Sequence, residues 1–375
     1  MTKVLKGAAA FVRRELVLCI AVLLAIISAF FVPPSGEYFD YIDWDTLCQL
    51  FALMAVMKGF QSAGLFSFLA EKLLKRAHTT RRIMFVLVFL PFVLSMVITN
   101  DVALITFVPF ALTVLSLSGN DRLAVPLVIL QTIAANLGSM FTPIGNPQNL
   151  YLFARSGMSF GGMLLLMLPY VLLSAAGLAG IIMCFKSSPV LCELPRTKLA
   201  GAFPLTWPAV FFVLCLLGLF NVLPPAYVAA IVFAFLVIFA RPVLKKIDYS
   251  LLLTFFALFI FTGNLGALPA FKSALSSVIS GNEVLISVLA SQVISNVPAA
   301  LLLSGFTNNY SALIVGCNIG GLGTLIASMA SLISFKEYAR AHAEGRGKYL
   351  LQFTLYNLAF LAALIALYFL LINII

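Results

Sequence analysis

An all-α integral membrane protein built from two inverted repeats is the fold class this sequence predicts, and three observations carry it. Only 10% of the 375 residues are charged and 62% are hydrophobic, whereas soluble domains carry about 25% charged residues. The apolar runs are continuous and helix-length, unlike the alternating strands of an outer-membrane barrel. Three short blocks also recur, in the same order, in the two halves of the chain.

The first apolar run, Leu16 to Val32, follows Lys3, Lys6, Arg13 and Arg14. It resembles a secretion signal, but it is long and no small-residue cleavage site follows, so it reads as a spanning helix over 15–33. Further spans fall at 43–60, 124–153, 161–184, 205–222, 224–241, 248–268, 310–335 and 349–373. These make about nine crossings of a hydrocarbon core about 30 Å thick, with 124–153 and 310–335 broken. The stretches 82–117 and 274–306 are too long for one crossing and polar at their middles, so each reads as a re-entrant hairpin. Residues 61–77 read as an interfacial helix, with Phe66, Leu69 and Leu73 on one face and Glu71, Lys72, Lys75 and Arg76 elsewhere. Repeat 1 then covers 1–187, a cytoplasmic linker 188–204 with Pro189, Pro195, Arg196 and Lys198, and repeat 2 covers 205–375.

Basic residues set the orientation. With the N-terminus cytoplasmic and the C-terminus outside, only Arg155 and Lys272 of the 23 Lys and Arg fall outside, with Lys58 near a span's end. The acidic loop with Glu37, Asp40, Asp43 and Asp45 is then external.

The repeated blocks are short but ordered. Ile42-Asp43-Trp44 before Phe51-Ala52-Leu53-Met54 matches Ile247-Asp248-Tyr249 before Phe256-Ala257-Leu258-Phe259. Val97-Ile98-Thr99-Asn100 matches Val293-Ile294-Ser295-Asn296. Ala135-Asn136-Leu137-Gly138 matches Cys317-Asn318-Ile319-Gly320. An odd number of crossings between the copies inverts the second, which places substrate and ion sites at the repeat interface.

The stretch Asn136 to Leu150 sits at membrane depth yet holds prolines, glycines and amides. Non-helical backbone survives there only where it is buried in protein or lines a cavity, and a Gly/Pro-interrupted span points to a transporter's binding site. A proline kink that fills space is the plainer alternative. The hairpins turn at Thr99-Asn100-Asp101 and Ser295-Asn296-Val297-Pro298. Helix N-termini at such tips favour anions, and carbonyls of the preceding half favour cations. Gly138, Gly145, Gly320, Gly321 and Gly323 allow close backbone approach or tight helix packing. Asp101 is an ionisable side chain at depth, by default a functional residue. It reads as a coupling carboxylate, as an N-cap for the helix from Val102 to Leu115, or as an interfacial group.

Other classes are excluded or unsupported. The net charge of +10 is spread over the ends of apolar runs, which argues against nucleic acid. Cys19, Cys48, Cys184, Cys192, Cys215 and Cys317 lie singly, and His78 and His342 lie in basic loops. No catalytic motif is present, so no enzyme is expected.

These motifs resemble the ion-transporter superfamily of arsenite permeases, sodium–proton antiporters and divalent anion–sodium symporters, over nearly the whole chain. Thr99 to Leu104 resembles the first hairpin tip of the anion-permease branch, Thr142-Pro143-Ile144-Gly145-Asn146 its broken helix, and Ser295 to Pro298 the second tip. The resemblance implies a secondary transporter in the plasma membrane (the bacterial inner membrane) with an elevator-like movement of the hairpin-bearing domain. It implies substrate contacts from Thr99, Asn100, Asn136, Thr142, Asn146, Asn149, Ser295, Asn296 and Thr324. Ion coupling falls to Asp101, Asn100, Gly145, Asn296, Asn318 and Gly323. Asp101 and Val297 stand where the carboxylate-transporting branch has threonines. A carboxylate beside a dianion is unfavourable and valine donates no hydrogen bond, which leaves smaller anions, neutral oxyacids or cation exchange. Expected partners are a small inorganic or organic anion, sodium or protons, the lipid bilayer and a second copy in a homodimer. No cofactor is expected beyond a bound sodium. A sodium–proton antiporter and an ion channel are the alternatives.

Overall fold

The structure is a computed structural model that describes residues 11, 12, 15–190, 199–342 and 345–373. Lys3, Lys6, Arg13, Arg14, Cys192, Pro195, Arg196 and Lys198, and with them residues 191–198 of the expected linker, lie outside those residues. The described residues form helices and turns, with one isolated β-bridge between Thr79 and Pro189 and no strand.

The first half begins with α1 (Leu16–Ala29), the short α2 (Tyr38–Tyr41), α3 (Trp44–Ser62) and α4 (Leu65–Leu74). Hairpin one follows as α5 (Thr80–Leu94) and α6 (Asn100–Leu117). A 3₁₀ turn (Asp121–Leu123) leads to α7 (Ala124–Ser139), α8 (Pro147–Ser156) and α9 (Phe160–Met183). The second half holds α10 (Ala202–Leu219), α11 (Pro225–Phe239), the short α12 (Arg241–Leu244), α13 (Tyr249–Gly266) and α14 (Pro269–Ile279). Hairpin two is α15 (Glu283–Ile294) and α16 (Asn296–Leu303), followed by α17 (Tyr310–Ile319), α18 (Met329–Ala341) and α19 (Arg346–Ile372).

Local chemistry sets these starts. Asp43 caps α3 by accepting from Thr46 N at 2.9 Å, and Asp248 caps α13 from Leu251 N at 3.1 Å. Both caps share one backbone conformation, φ −80°, ψ 86° and φ −82°, ψ 84°. A side-chain oxygen there satisfies a helix-start N–H that no turn can reach. Pro147, Pro225 and Pro269 open their helices at the position where a missing N–H costs nothing.

Among the described residues, six helices are long and apolar enough to cross a membrane, or up to eight if each bent pair is one span. Leu16–Ala29, Pro225–Phe239 and Tyr310–Ile319 are apolar but shorter. Large apolar residues such as Leu23 and Ile27 on α1, Ile231 and Ile238 on α11 and Leu351 and Leu370 on α19 stand exposed, as a lipid-facing surface requires. The centre is α7, in which every residue from Leu127 to Ser139 is buried.

The packing falls into two groups that meet where α16 lies on α13 and where α3 touches α6 and α8. In one, α3 lies against α10 and α11, and α1 lies against α13. In the other, α5 packs on α7 and α15 on α17. There α6 packs on α7 and α18, while α16 packs on α17 and α8. Each hairpin's second arm thus touches the first half of its own broken helix and the second half of the other.

Two boundaries differ from the sequence reading. The stretch 274–306 is not one hairpin: 274–279 belongs to α14, which is bent 109° from α15. Gly281 at φ +80° makes that corner, leaving hairpin two to start at Glu283. The second broken helix extends past 335 to Ala341. The interfacial helix buries Phe66, Ala70 and Leu74 with Glu71, while Leu73 is exposed, so i, i+4 spacing sets the buried face.

Candidate functional site

Both expected breaks are present. Residues 140–146 separate α7 from α8, and residues 320–328 separate α17 from α18. Each hairpin tip is fastened to one break by the same backbone bond. Asn100 N donates to Gly145 O at 3.2 Å, and Asn296 N donates to Ala327 O at 2.9 Å. Gly145 permits the first, because a Cβ there would overlap the carbonyl oxygen of Ser139 and crowd that of Ser95. At the second tip Ser295 sits at φ +73°, a conformation that costs a non-glycine residue about 1–3 kcal/mol and persists only when its surroundings hold it. Its hydroxyl donates weakly to Ala327 O at 3.4 Å.

Two amide clusters join the elements. In the first, Asn100 Nδ2 donates to Asn136 Oδ1 at 2.9 Å, and Ser328 Oγ donates to the same oxygen at 3.0 Å. Asn136 Nδ2 reaches Ser331 Oγ at 3.5 Å. Hairpin one, α7 and the second break therefore meet at one buried side chain. In the second, Asn146 Nδ2 donates to Ser139 Oγ at 2.5 Å, and Asn149 Nδ2 to the carbonyls of Ser139 and Thr142 at 3.2 and 3.3 Å. Asn318 Nδ2 donates to Asn149 Oδ1 at 2.6 Å, tying the first break to α17.

Several expected ligand residues have partners inside the protein. The Thr142 hydroxyl donates to the Met96 carbonyl. Thr324 is exposed and bonds Gln292: its hydroxyl donates to Gln292 O at 3.1 Å and its N–H to Gln292 Oε1 at 2.9 Å. Asn296 lies buried, with Nδ2 against Gly321, where a Cβ would come within 2.9 Å. Thr99 stands at the N-cap of α6 without a side-chain cap bond.

Gln292 was not singled out from the sequence, yet it holds the second break. Its Nε2 donates to the carbonyls of Gly320 and Leu322, both at 3.0 Å. Gly323, at φ +102°, leaves space for its amide, since a Cβ there would collide with Gln292 Oε1. The sequence signal was only a glutamine in an apolar hairpin arm.

Asp101 is not an N-cap, which corrects the capping alternative. Helix α6 begins at Asn100 with Thr99 at the cap, and Asn100 Oδ1 accepts from Asp101 N at 2.9 Å. Asp101 Oδ1 is buried and unpartnered; so are Asn318 Oδ1 and both amide atoms of Gln148, in the first turn of α8. Buried polar atoms without partners are uncommon and call for an explanation. These are the atoms around the tips and breaks that remain free to meet a ligand. No group of three His, Cys, Asp or Glu able to hold a metal occurs among the described residues. A cavity of about 390 Å³ lies elsewhere, between the start of α3, the end of α8, the start of α9 and the end of α10.

A citrate-transporter family profile, CitMHS, matches residues 2–309. The inner membrane protein YbiR of Escherichia coli is 34% identical over 325 residues, covering 84% of this chain and 86% of that one. An uncharacterized transporter of Methanocaldococcus jannaschii is 33% identical over 303 residues, 80% of this chain and 82% of its own. The silicon efflux transporter LSI3 of Oryza sativa is 35% identical over 153 residues, 40% of this chain and 30% of its own.

Proposed function

The chain belongs to the CitMHS citrate-transporter family, and from that premise we propose a secondary active transporter that moves a small anion or oxyacid, coupled to protons or sodium. The observation that carries the coupling is the unpartnered oxygen of Asp101 at the start of hairpin one's second arm. A carboxylate with a free, buried oxygen needs a cation to balance it. The free atoms of Gln148 and Asn318 are the polar groups that would orient the substrate.

The substrate is inferred from charge. A multiply charged anion beside an ionised Asp101 is repelled, and Val297 at the other tip offers no donor. A singly charged or neutral oxyacid avoids both difficulties. A relative named for efflux of silicon, an element dissolved near neutral pH as a weak oxyacid, supports that choice.

The matched caps, the matched tip-to-break bonds and the reciprocal hairpin packing support an inverted repeat. The two packing groups, which meet mainly where α16 lies on α13 and α3 touches α6 and α8, support an elevator-type movement, with hairpins and broken helices sliding against α3, α10, α11, α1 and α13. The distribution of Lys and Arg supports a cytoplasmic N-terminus, an external C-terminus and a plasma-membrane location. A homodimer and a bound sodium remain part of the proposal.

A sodium–proton antiporter is the second reading, favoured by the same Asp101 oxygen. Reconstituted protein decides between them. Counterflow of a labelled oxyacid or monovalent anion supports the carrier. Sodium-driven proton flux without such substrate supports the antiporter, and steady conductance supports a channel.

A further inference from the structure

Asp101 has a cationic counterpart inside the span. Lys58 is half-buried on α3, between buried Met57 and Gly59. Ionisable residues within membrane spans pair with one another or mark a pathway. The Lys58 ammonium donates to Gln61 Oε1 at 3.0 Å, and Gln61 Nε2 donates to Thr106 Oγ1 on α6 at 3.0 Å. Thr106 in turn donates to Val102 O at 2.8 Å, next to Asp101. A polar chain thus runs from Lys58 across the α3–α6 contact to the residue beside the carboxylate.

Lys58 and Asp101 lie within electrostatic range of each other and of Asp248, with Lys246 also near Lys58. Two of these are engaged: Asp248 caps α13, and Lys246 Nζ donates to Ser62 Oγ at 3.1 Å. The remaining elements packed on α6 contribute little. Glu71 on α4 and Glu337 on α18 are paired with Lys75 and Arg340, and Arg81 on α5 holds the Phe185 carbonyl. Lys72, Arg82, Asp121, Arg122 and Lys336 lie on the same elements, and α7 has no ionisable side chain. Among the described residues the ion pairs within 4.0 Å are Glu71–Lys75 and Glu337–Arg340, so Lys58 and Asp101 are not in direct contact and are linked through Gln61 and Thr106.

We propose that Lys58 is a tethered counter-cation: it balances Asp101 while the coupling site is empty, and the coupling ion, proton or sodium, takes over that role on binding. This rests on the reading of Asp101 as the coupling carboxylate. Lys58 belongs to the α3 packing group and Asp101 to the hairpin group, so a sliding hairpin separates them. Asp101 then leaves Lys58 only with a cation of its own, which suppresses movement of the unloaded carrier.

The test is thermal unfolding of the purified full-length protein against sodium chloride, with choline chloride holding ionic strength, and separately against pH. Lys58 competes with the ion, so K58Q is expected to reach half-maximal stabilisation at about tenfold lower sodium, or about one pH unit higher if the ion is a proton. K58R tracks wild type. D101N gives no response, and adding K58Q to it changes nothing further. Equal midpoints for wild type and K58Q, with D101N silent, overturn the role of Lys58 and leave that of Asp101. A wild type that responds to neither ion, or a D101N that responds like wild type, overturns the coupling reading and this inference with it. If K58Q does not fold, the K58Q/D101N double variant decides: recovered folding supports a stranded carboxylate, and continued failure overturns the pairing.

Discussion

Asn136 and Ser328, 192 residues apart in the chain, share a 3.0 Å hydrogen bond, and the same Asn136 oxygen accepts from Asn100. One amide therefore connects the first hairpin tip to the second break. The neighbouring Ala327 carbonyl holds the other tip through Asn296 N. Both tips thus converge on the segment Ala327-Ser328, and the polar centre behaves as one network.

Asn136→Leu tests that network. It leaves the Asn100 amide and the Ser328 hydroxyl without an acceptor, at about 1–3 kcal/mol for each buried donor. The expected result is a clear fall in thermal unfolding midpoint together with loss of transport. A variant as stable as wild type would mean that the tips are held by other contacts.

Thr324→Val separates anchoring from substrate binding. It removes the hydroxyl bond to Gln292 and should cost about 0.5–1.5 kcal/mol of stability. Substrate affinity in binding or counterflow measurements should stay near wild type. Loss of affinity with unchanged stability would restore Thr324 to the substrate site.

Gly323→Ala should destabilise strongly, because φ +102° is strained for alanine and the new Cβ collides with the Gln292 amide. Gly266→Ala, with open space around its Cβ position, is the control and should be nearly silent in the same unfolding assay. Similar behaviour of the two variants would contradict the described second break.

Much of this arrangement was legible in the sequence. The Gly, Pro and Asn runs interrupt apolar sequence so abruptly that both breaks could be placed, and Asp43 and Asp248 were matched as repeated residues, though their capping role emerged only from the structure. The corner at Gly281 was overlooked although Ser280-Gly281-Asn282-Glu283 is a polar turn signal, because the apolar runs on either side of it were taken together as one hairpin. Gln292 and Lys58 were missed as site residues for a different reason. Gln292 acquires its role from carbonyls 28 and 30 residues further on, and Lys58 from a neighbouring helix. A single polar residue in an apolar helix carries no local mark of such partners. The capping alternative for Asp101 failed over two residues of register, since α6 starts at Asn100 with Thr99 at its cap.

Gradient-driven uptake by Asp101→Asn in proteoliposomes tests the central claim most directly. Asparagine keeps the size and most hydrogen-bonding capacity of the side chain but removes its charge. With a labelled substrate that wild type accumulates, the account predicts that accumulation driven by a proton or sodium gradient collapses, while substrate-for-substrate counterflow continues. Accumulation by the variant with unchanged pH and sodium dependence would contradict it.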